Sequence, residues 1–126
     1  MQKLLSAGII TLILLIITSA GFKINTETSD AVSERLSKTI ELVNNGENEK
    51  ARREMKKCVD IWNSHFQKMQ IFISHGRIDE IDESLKTAEY QLNGNNDTEF
   101  ITEASRSLVL LEHFKDMEYP SVYNIF

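Results

Sequence analysis

Apolar residues recur along most of this chain at intervals of three and four, the spacing that puts side chains on one face of an α-helix. Val32, Leu36, Ile40 and Val43 form the first such stripe. Thr28 or Ser29 offers an N-cap ahead of it, and Asn44-Asn45-Gly46 offers residues that tolerate the left-handed backbone of a helix end. The second stripe is the longest: Ala51, Met55, Cys58, Trp62, Phe66, Met69 and Ile73, widened by Val59, Ile71 and Phe72. It predicts a helix over about 48–75, roughly 42 Å long. Ile78, Ile81, Leu85, Ala88 and Leu92 form a third stripe, rotated by about 120° from the second if both are drawn on one rod. One rod would carry two mismatched faces, so a turn at Gly76 is the economical solution. A continuous helix over 48–92 that changes packing partners is the alternative.

Asn93-Gly94-Asn95-Asn96-Asp97 is the clearest loop, and Asn96 with Glu99 three residues on has the form of a capping box. The last stripe is Phe100, Ala104, Leu108, Leu111 and Phe114, with Ile101, Val109, Leu110 and Met117 beside it. Pro120 keeps regular helix from continuing through Tyr119. The tail that follows, with Val122, Tyr123, Ile125 and Phe126, is apolar and is expected to fold back over an open end of the bundle. No stretch alternates with period two. The predicted fold is all-α: an N-terminal transmembrane helix, then a small antiparallel four-helix bundle with an apolar C-terminal tail.

Residues 4–22 depart from the amphipathic pattern altogether. They carry no charge, and as a helix they would reach roughly 28 Å, about the thickness of a bilayer's hydrocarbon core. Ser6, Thr11, Thr18 and Ser19 do not spoil this, because short hydroxyls bond back to the helix's own carbonyls. The expected organisation is a membrane anchor or uncleaved signal segment over 1–22, a polar tether over 23–28 and a bundle over 29–126. With only Met1, Gln2 and Lys3 ahead of the apolar run, the expected placement is single-pass, with residues 23–126 extracytoplasmic. Cleavage near Ala20, after the small residues Thr18 and Ser19, would release the same domain instead.

The 14 basic and 19 acidic side chains make the chain acidic, and a surface of that sign repels phosphate backbones. Nucleic acid is therefore not an expected partner. One Cys excludes an internal disulfide and a thiolate-rich metal site. His75, Asp79 and Asp82 stand at i, i+4 and i+7, the spacing at which a helix could offer ligands to a divalent cation, but Lys86 continues the line and would repel it. A turn at Gly76 removes His75 from that line and leaves it a hydrogen-bonding residue at a helix junction. Cys58, between Met55 and Trp62, reads as a small buried hydrophobe. Trp62 reads as a core anchor or a binding hot spot. His65, His113 and the carboxylates Glu80 and Glu83 have no nucleophile or wide cleft beside them. No phosphate-cradling or dinucleotide motif is present, so neither an enzyme nor a cofactor is expected.

Trp62, the segment Ile71-Phe72-Ile73-Ser74-His75 followed by Asp79 and Asp82, and the closing Ser121-Val122-Tyr123-Asn124-Ile125-Phe126 resemble the bacterial domain-of-unknown-function family 4363. The resemblance implies a small membrane-anchored helical protein of a spore-forming or related Gram-positive lineage. It supplies no activity, and it implies a partner among other membrane proteins. The expected function is thus a membrane-tethered, non-catalytic domain that binds another membrane or envelope protein. Trp62, His75, Asp79, Tyr123 and Phe126 are the expected contact residues, and residues 48–75 a possible seam between copies. The alternative is a ligand- or metal-sensing helical domain with a groove near His75.

Overall fold

The computed structural model describes the backbone of residues 1–72 and 75–118, and the side chains of these except 21–25, 69–72, 75 and 116–118. Four helices follow one another: α1, Gln2–Asn44; α2, Asn48–Phe72; α3, His75–Asn93; and α4, Asp97–Glu118. Among the described residues there is no strand. Each helix packs against the next, and α4 closes the ring on α1. This is an up-down-up-down square with one shared core. Pro120 and the apolar tail that holds Tyr123 and Phe126 lie outside the described residues.

The first helix differs from the expected anchor, tether and bundle helix. It runs unbroken for 43 residues, through the segment 23–28 that was expected to be a polar tether. The physical reason is cooperative. Extending a formed helix adds one hydrogen bond per residue fixed, whereas ending it and nucleating another costs two sets of orphaned backbone groups. Lys23 to Thr28 contains neither Pro nor Gly to force the break. Thr28 and Ser29 are accordingly not N-caps but buried residues in mid-helix. The first half of α1, Gln2–Ala20, has a mean hydropathy of 2.1 and none of it is covered by the bundle, so it is long and apolar enough to span a membrane. Its hydroxyls bond back one turn as expected: Ser6 to the Gln2 carbonyl at 2.9 Å, Thr11 to Ala7 at 2.8 Å and Thr18 to Leu14 at 2.7 Å.

The second half of α1 enters the core with Val32, Leu36 and Val43. It ends where Gly46 takes a left-handed φ of 76°. The Gly46 N–H then reaches the Val43 carbonyl at 3.0 Å and the Glu47 N–H the Leu42 carbonyl at 2.9 Å, the paired bonds of a Schellman ending. The same ending recurs after α3. There Asn95 holds the left-handed position at φ 61°, and Asn95 and Asn96 bond back to the Leu92 and Gln91 carbonyls at 3.1 and 2.9 Å. Asn96 does precede α4, its carbonyl accepting from the Phe100 N–H at 2.9 Å, while its side-chain amide donates to Gln91 Oε1.

These two endings belong to a repeat that the sequence pattern did not disclose. Moving along the chain by the separation of the hydrogen-bonded pair Asn48 and Asp97 carries one helical hairpin onto the other. Val32, Leu36, Val43, Ala51, Met55 and Trp62 then fall on Ile81, Leu85, Leu92, Phe100, Ala104 and Leu111, all of them buried. Sizes alternate across the equivalence, Ala51 against Phe100 and Met55 against Ala104. A small residue on α2 is thus answered by a large one at the same level on α4, and the reverse one turn on, which fills each layer. Asn48 Nδ2 donates to Asp97 Oδ1 at 3.0 Å where the two hairpins meet, at the end of the bundle away from the apolar span.

Trp62 on α2 hydrogen-bonds Asp82 on α3, so residues 48–92 make two helices packed side by side rather than one rod; residues 73–74 between them lie outside the described residues, and Gly76 is in the first described turn of α3. The two glycines therefore respond oppositely to a methyl group. Gly46→Ala should lower the unfolding free energy by about 1–2 kcal/mol, because an L side chain is strained at that φ. Gly76→Ala, where an added Cβ meets nothing, should raise it by about 0.5 kcal/mol. Denaturant midpoints of the two variants measure both signs.

Candidate functional site

Of the residues singled out for partner contact, the structure describes the side chains of Trp62 and Asp79. Trp62 is fully enclosed in the core. This removes it from the surface on which a partner would dock: its stripe faces the centre of the square, and its indole is among the largest fully buried side chains. Its Nε1–H donates to Asp82 Oδ1 at 2.9 Å across the α2–α3 interface, and Lys86 Nζ donates to the other carboxylate oxygen at 3.0 Å. Phe66 packs on Trp62 with ring centroids 6.1 Å apart, and Lys86 lies 6.0 Å above the Phe66 ring. Asp82, placed by the sequence in a candidate metal line, is thus committed to holding the buried indole. Asp79, one turn earlier, is exposed on α3. The His75 side chain, Tyr123 and Phe126 lie outside the described residues.

Three other polar groupings were not foreseen, and each ties helices together. Arg35 Nη1 donates to the nearly buried Glu54 Oε1 at 2.8 Å between α1 and α2. At the equivalent positions of the second hairpin stand Ser84 and Glu103, with Ser84 Oγ 3.1 Å from Glu103 Oε1. Ser84 and Ser107, both fully buried, share a hydrogen bond of 2.7 Å. Small hydroxyls here let α3 and α4 approach closely while each finds a partner, which a buried hydroxyl requires. Lys115 Nζ pairs with Asp30 at 2.7 Å and closes the ring between α4 and α1.

Cys58 is fully buried and its Sγ lies 3.5 Å from the Val32 carbonyl oxygen, to which it donates. Burial pushes its pKa from 9.0 up to about 12, so it is held as the thiol rather than the reactive thiolate. His65, half-buried on α2, has Nδ1 3.0 Å from the Ile61 carbonyl oxygen and 3.0 Å from Ser64 Oγ. His113 is exposed beside Arg77 and Glu80 in a surface groove of about 250 Å³ between α3 and α4. A second groove, of about 540 Å³, runs between α2 and α3 past Arg52, Arg53, Lys56 and Glu89. Partial burial, and after it Asp60, raise the Glu89 pKa. Among the described residues no group of three His, Cys, Asp or Glu side chains is placed to hold a metal ion.

In comparisons with known proteins, the family model described as Domain of unknown function (DUF4363) matches residues 21–125. The curated proteins and the solved structures give no match. The matched range starts at the end of the apolar span and takes in the whole bundle.

The buried clasp and the buried thiol each have a measurable consequence. Asp82→Ala should cost about 1–3 kcal/mol by leaving the indole N–H without its acceptor, and Trp62→Ala about 3–5 kcal/mol by emptying the core there. Denaturant unfolding ranks them. For Cys58 the folded pKa lies above the unfolded value, so its contribution is complete below pH 9 and is lost as pH rises from about 9 to 12. Parent and Cys58→Ala midpoints should therefore converge over that window, and native-state alkylation of Cys58 should be slow until the chain unfolds.

Proposed function

For a chain that belongs to the DUF4363 family, we propose a membrane-tethered, non-catalytic helical domain that docks on another membrane or envelope protein. Residues 23–126 stand on the extracytoplasmic side in this reading. The observation that carries it is the unbroken α1, whose apolar half is uncovered and whose other half is a wall of the bundle. A domain held this way keeps a fixed orientation to the bilayer, as a docking partner of other membrane proteins needs. The core polar side chains support the same reading, since Asp82, Glu54, Ser84 and Ser107 are engaged in packing helices together. What is left for recognition is the outer surface, where Asp79, Tyr90 and Val109 are exposed on α3 and α4. Association of copies along residues 48–75 belongs to the same reading.

Photo-crosslinkers placed at Asp79, Tyr90 and Val109 of the full chain, activated in native membranes, test it. One envelope or membrane protein should recur from at least two of the positions, and Tyr90→Glu should reduce its yield several-fold. Recovery of proteins only in proportion to their abundance, with no effect of the substitution, would overturn the docking role.

A further inference from the structure

The chain is acidic, yet five of its 14 basic side chains stand within eight residues of α2: Lys50, Arg52, Arg53, Lys56 and Lys57. The one carboxylate among them, Glu54, is nearly buried and paired with Arg35. Ala51, Met55 and Cys58 take the inward face of this stretch, and Arg53, Lys56 and Lys57 are exposed on the opposite one. Lys50 and Arg52 flank them, Lys50 lying 3.3 Å from Glu47 and Arg52 donating to Asn95. Among the described residues Arg53, Lys56 and Lys57 are in no ion pair, whereas Arg35, Lys86, Arg106 and Lys115 each hold a carboxylate. Like charges three and four residues apart on a helix repel one another, a cost that an anionic partner would relieve.

Height and orientation narrow the kind of partner. Glu54 is level with Arg35 and Cys58 with Val32, so residues 50–57 stand beside about 32–40 of the antiparallel α1. Measured along α1 that is roughly 18–30 Å beyond Ala20, where the apolar span ends. The distance exceeds a headgroup layer of about 5–7 Å and a Debye length of about 8 Å together, which takes the face away from anionic lipid. Copies anchored in one bilayer through α1 stand parallel. A two-fold contact centred on this face would therefore set Arg53 and Lys57 against their own counterparts.

The face is also short. Glu49 precedes it and Asp60 follows it on α2, both exposed. Glu89 borders it from α3, across a groove of about 540 Å³ that Arg52, Arg53 and Lys56 line on the α2 side. A uniform polyanion would run on past the cations onto these carboxylates, whereas a helix with acidic residues over about two turns would not. We propose that the outward face of α2 over residues 50–57 docks an acidic helix of a partner protein, its carboxylates spaced by three and four residues opposite Lys50, Arg53, Lys56 and Lys57. The proposal rests on the docking reading for the partner's being a protein, and adds to it a surface and a charge.

The full chain, one copy per phosphatidylcholine disc, is titrated with three fluorescein-labelled helical peptides of equal length. One carries glutamates on a single face at intervals of three and four, the second the same glutamates scattered around the helix, and the third glutamines in their place. Fluorescence anisotropy should show the first binding several-fold more tightly than the second, the third not binding, and the affinity falling as salt rises. Arg53→Glu with Lys57→Glu should weaken the first peptide by about tenfold or more, and Arg53→Gln with Lys57→Gln by several-fold. Lys68→Glu with Arg77→Glu, the same change of charge elsewhere on the surface, should alter it by less than about twofold. Equal binding of the scattered peptide, or equal loss in the Lys68 and Arg77 variant, overturns the proposal. So does displacement of the peptide by phosphatidylglycerol in the disc, which makes lipid the occupant, or by a second copy in the same disc. These results leave the docking reading to its own crosslinks. Absence of a recurrent protein at Asp79, Tyr90 and Val109 overturns that reading whatever the peptides do, and with it a protein as the occupant of this face.

Discussion

The continuity of α1 is the constraint on which the rest of the molecule depends. An α-helix that passes from an apolar segment into a bundle without a break transmits both direction and rotation, because every residue fixes the next by 1.5 Å and about 100°. The face that buries Val32, Leu36 and Val43 is therefore locked to the orientation of the span. The three remaining helices pack with it in a ring whose position relative to the apolar span is set through α1. A flexible tether over residues 23–28 would have uncoupled the two halves and left the bundle free to turn. The helix avoids this for a local reason: nothing between Lys23 and Thr28 makes ending it cheaper than extending it.

The bundle's polar interior serves the same rigidity. A buried indole N–H, two buried hydroxyls and a nearly buried carboxylate would each be costly if left alone. Each is satisfied across a helix interface: Trp62 by Asp82 between α2 and α3, Ser84 by Ser107 between α3 and α4, and Glu54 by Arg35 between α1 and α2. Such bonds discriminate against sliding of one helix along its neighbour, which a purely apolar seam tolerates better. Cys58 joins them as a buried thiol bonded to a backbone carbonyl. The groups that might have suggested chemistry are thus spent on register.

The correspondence between the two hairpins gives the core its form. Equivalent positions are buried in both halves, yet few of them hold the same residue, and the exchange of small for large at Ala51 and Phe100 fills each layer without symmetry of sequence. The left-handed positions of the two distal turns follow the same rule, filled by Gly46 in one and Asn95 in the other. Two residue types solve one backbone problem, since both tolerate a positive φ.

Spacing alone determined the helices, their apolar faces and the uncharged span, because burial of a stripe and exposure of its reverse leave a periodic trace in the residues themselves. Among the described residues all seventeen buried apolar ones fall within the stripes read from that spacing or the residues widening them, and the Asn-Gly loops fall where the turn chemistry put them. What spacing could not carry was anything decided between helices. Whether Lys23 to Thr28 is loop or helix depends on the cost of ending α1 against that of extending it, and single residue types there are nearly neutral. Asp82 looks the same in a sequence whether it meets a metal, water or an indole; only the approach of α2 to α3 chose the last. The hairpin repeat was hidden because packing conserves volume and level rather than identity.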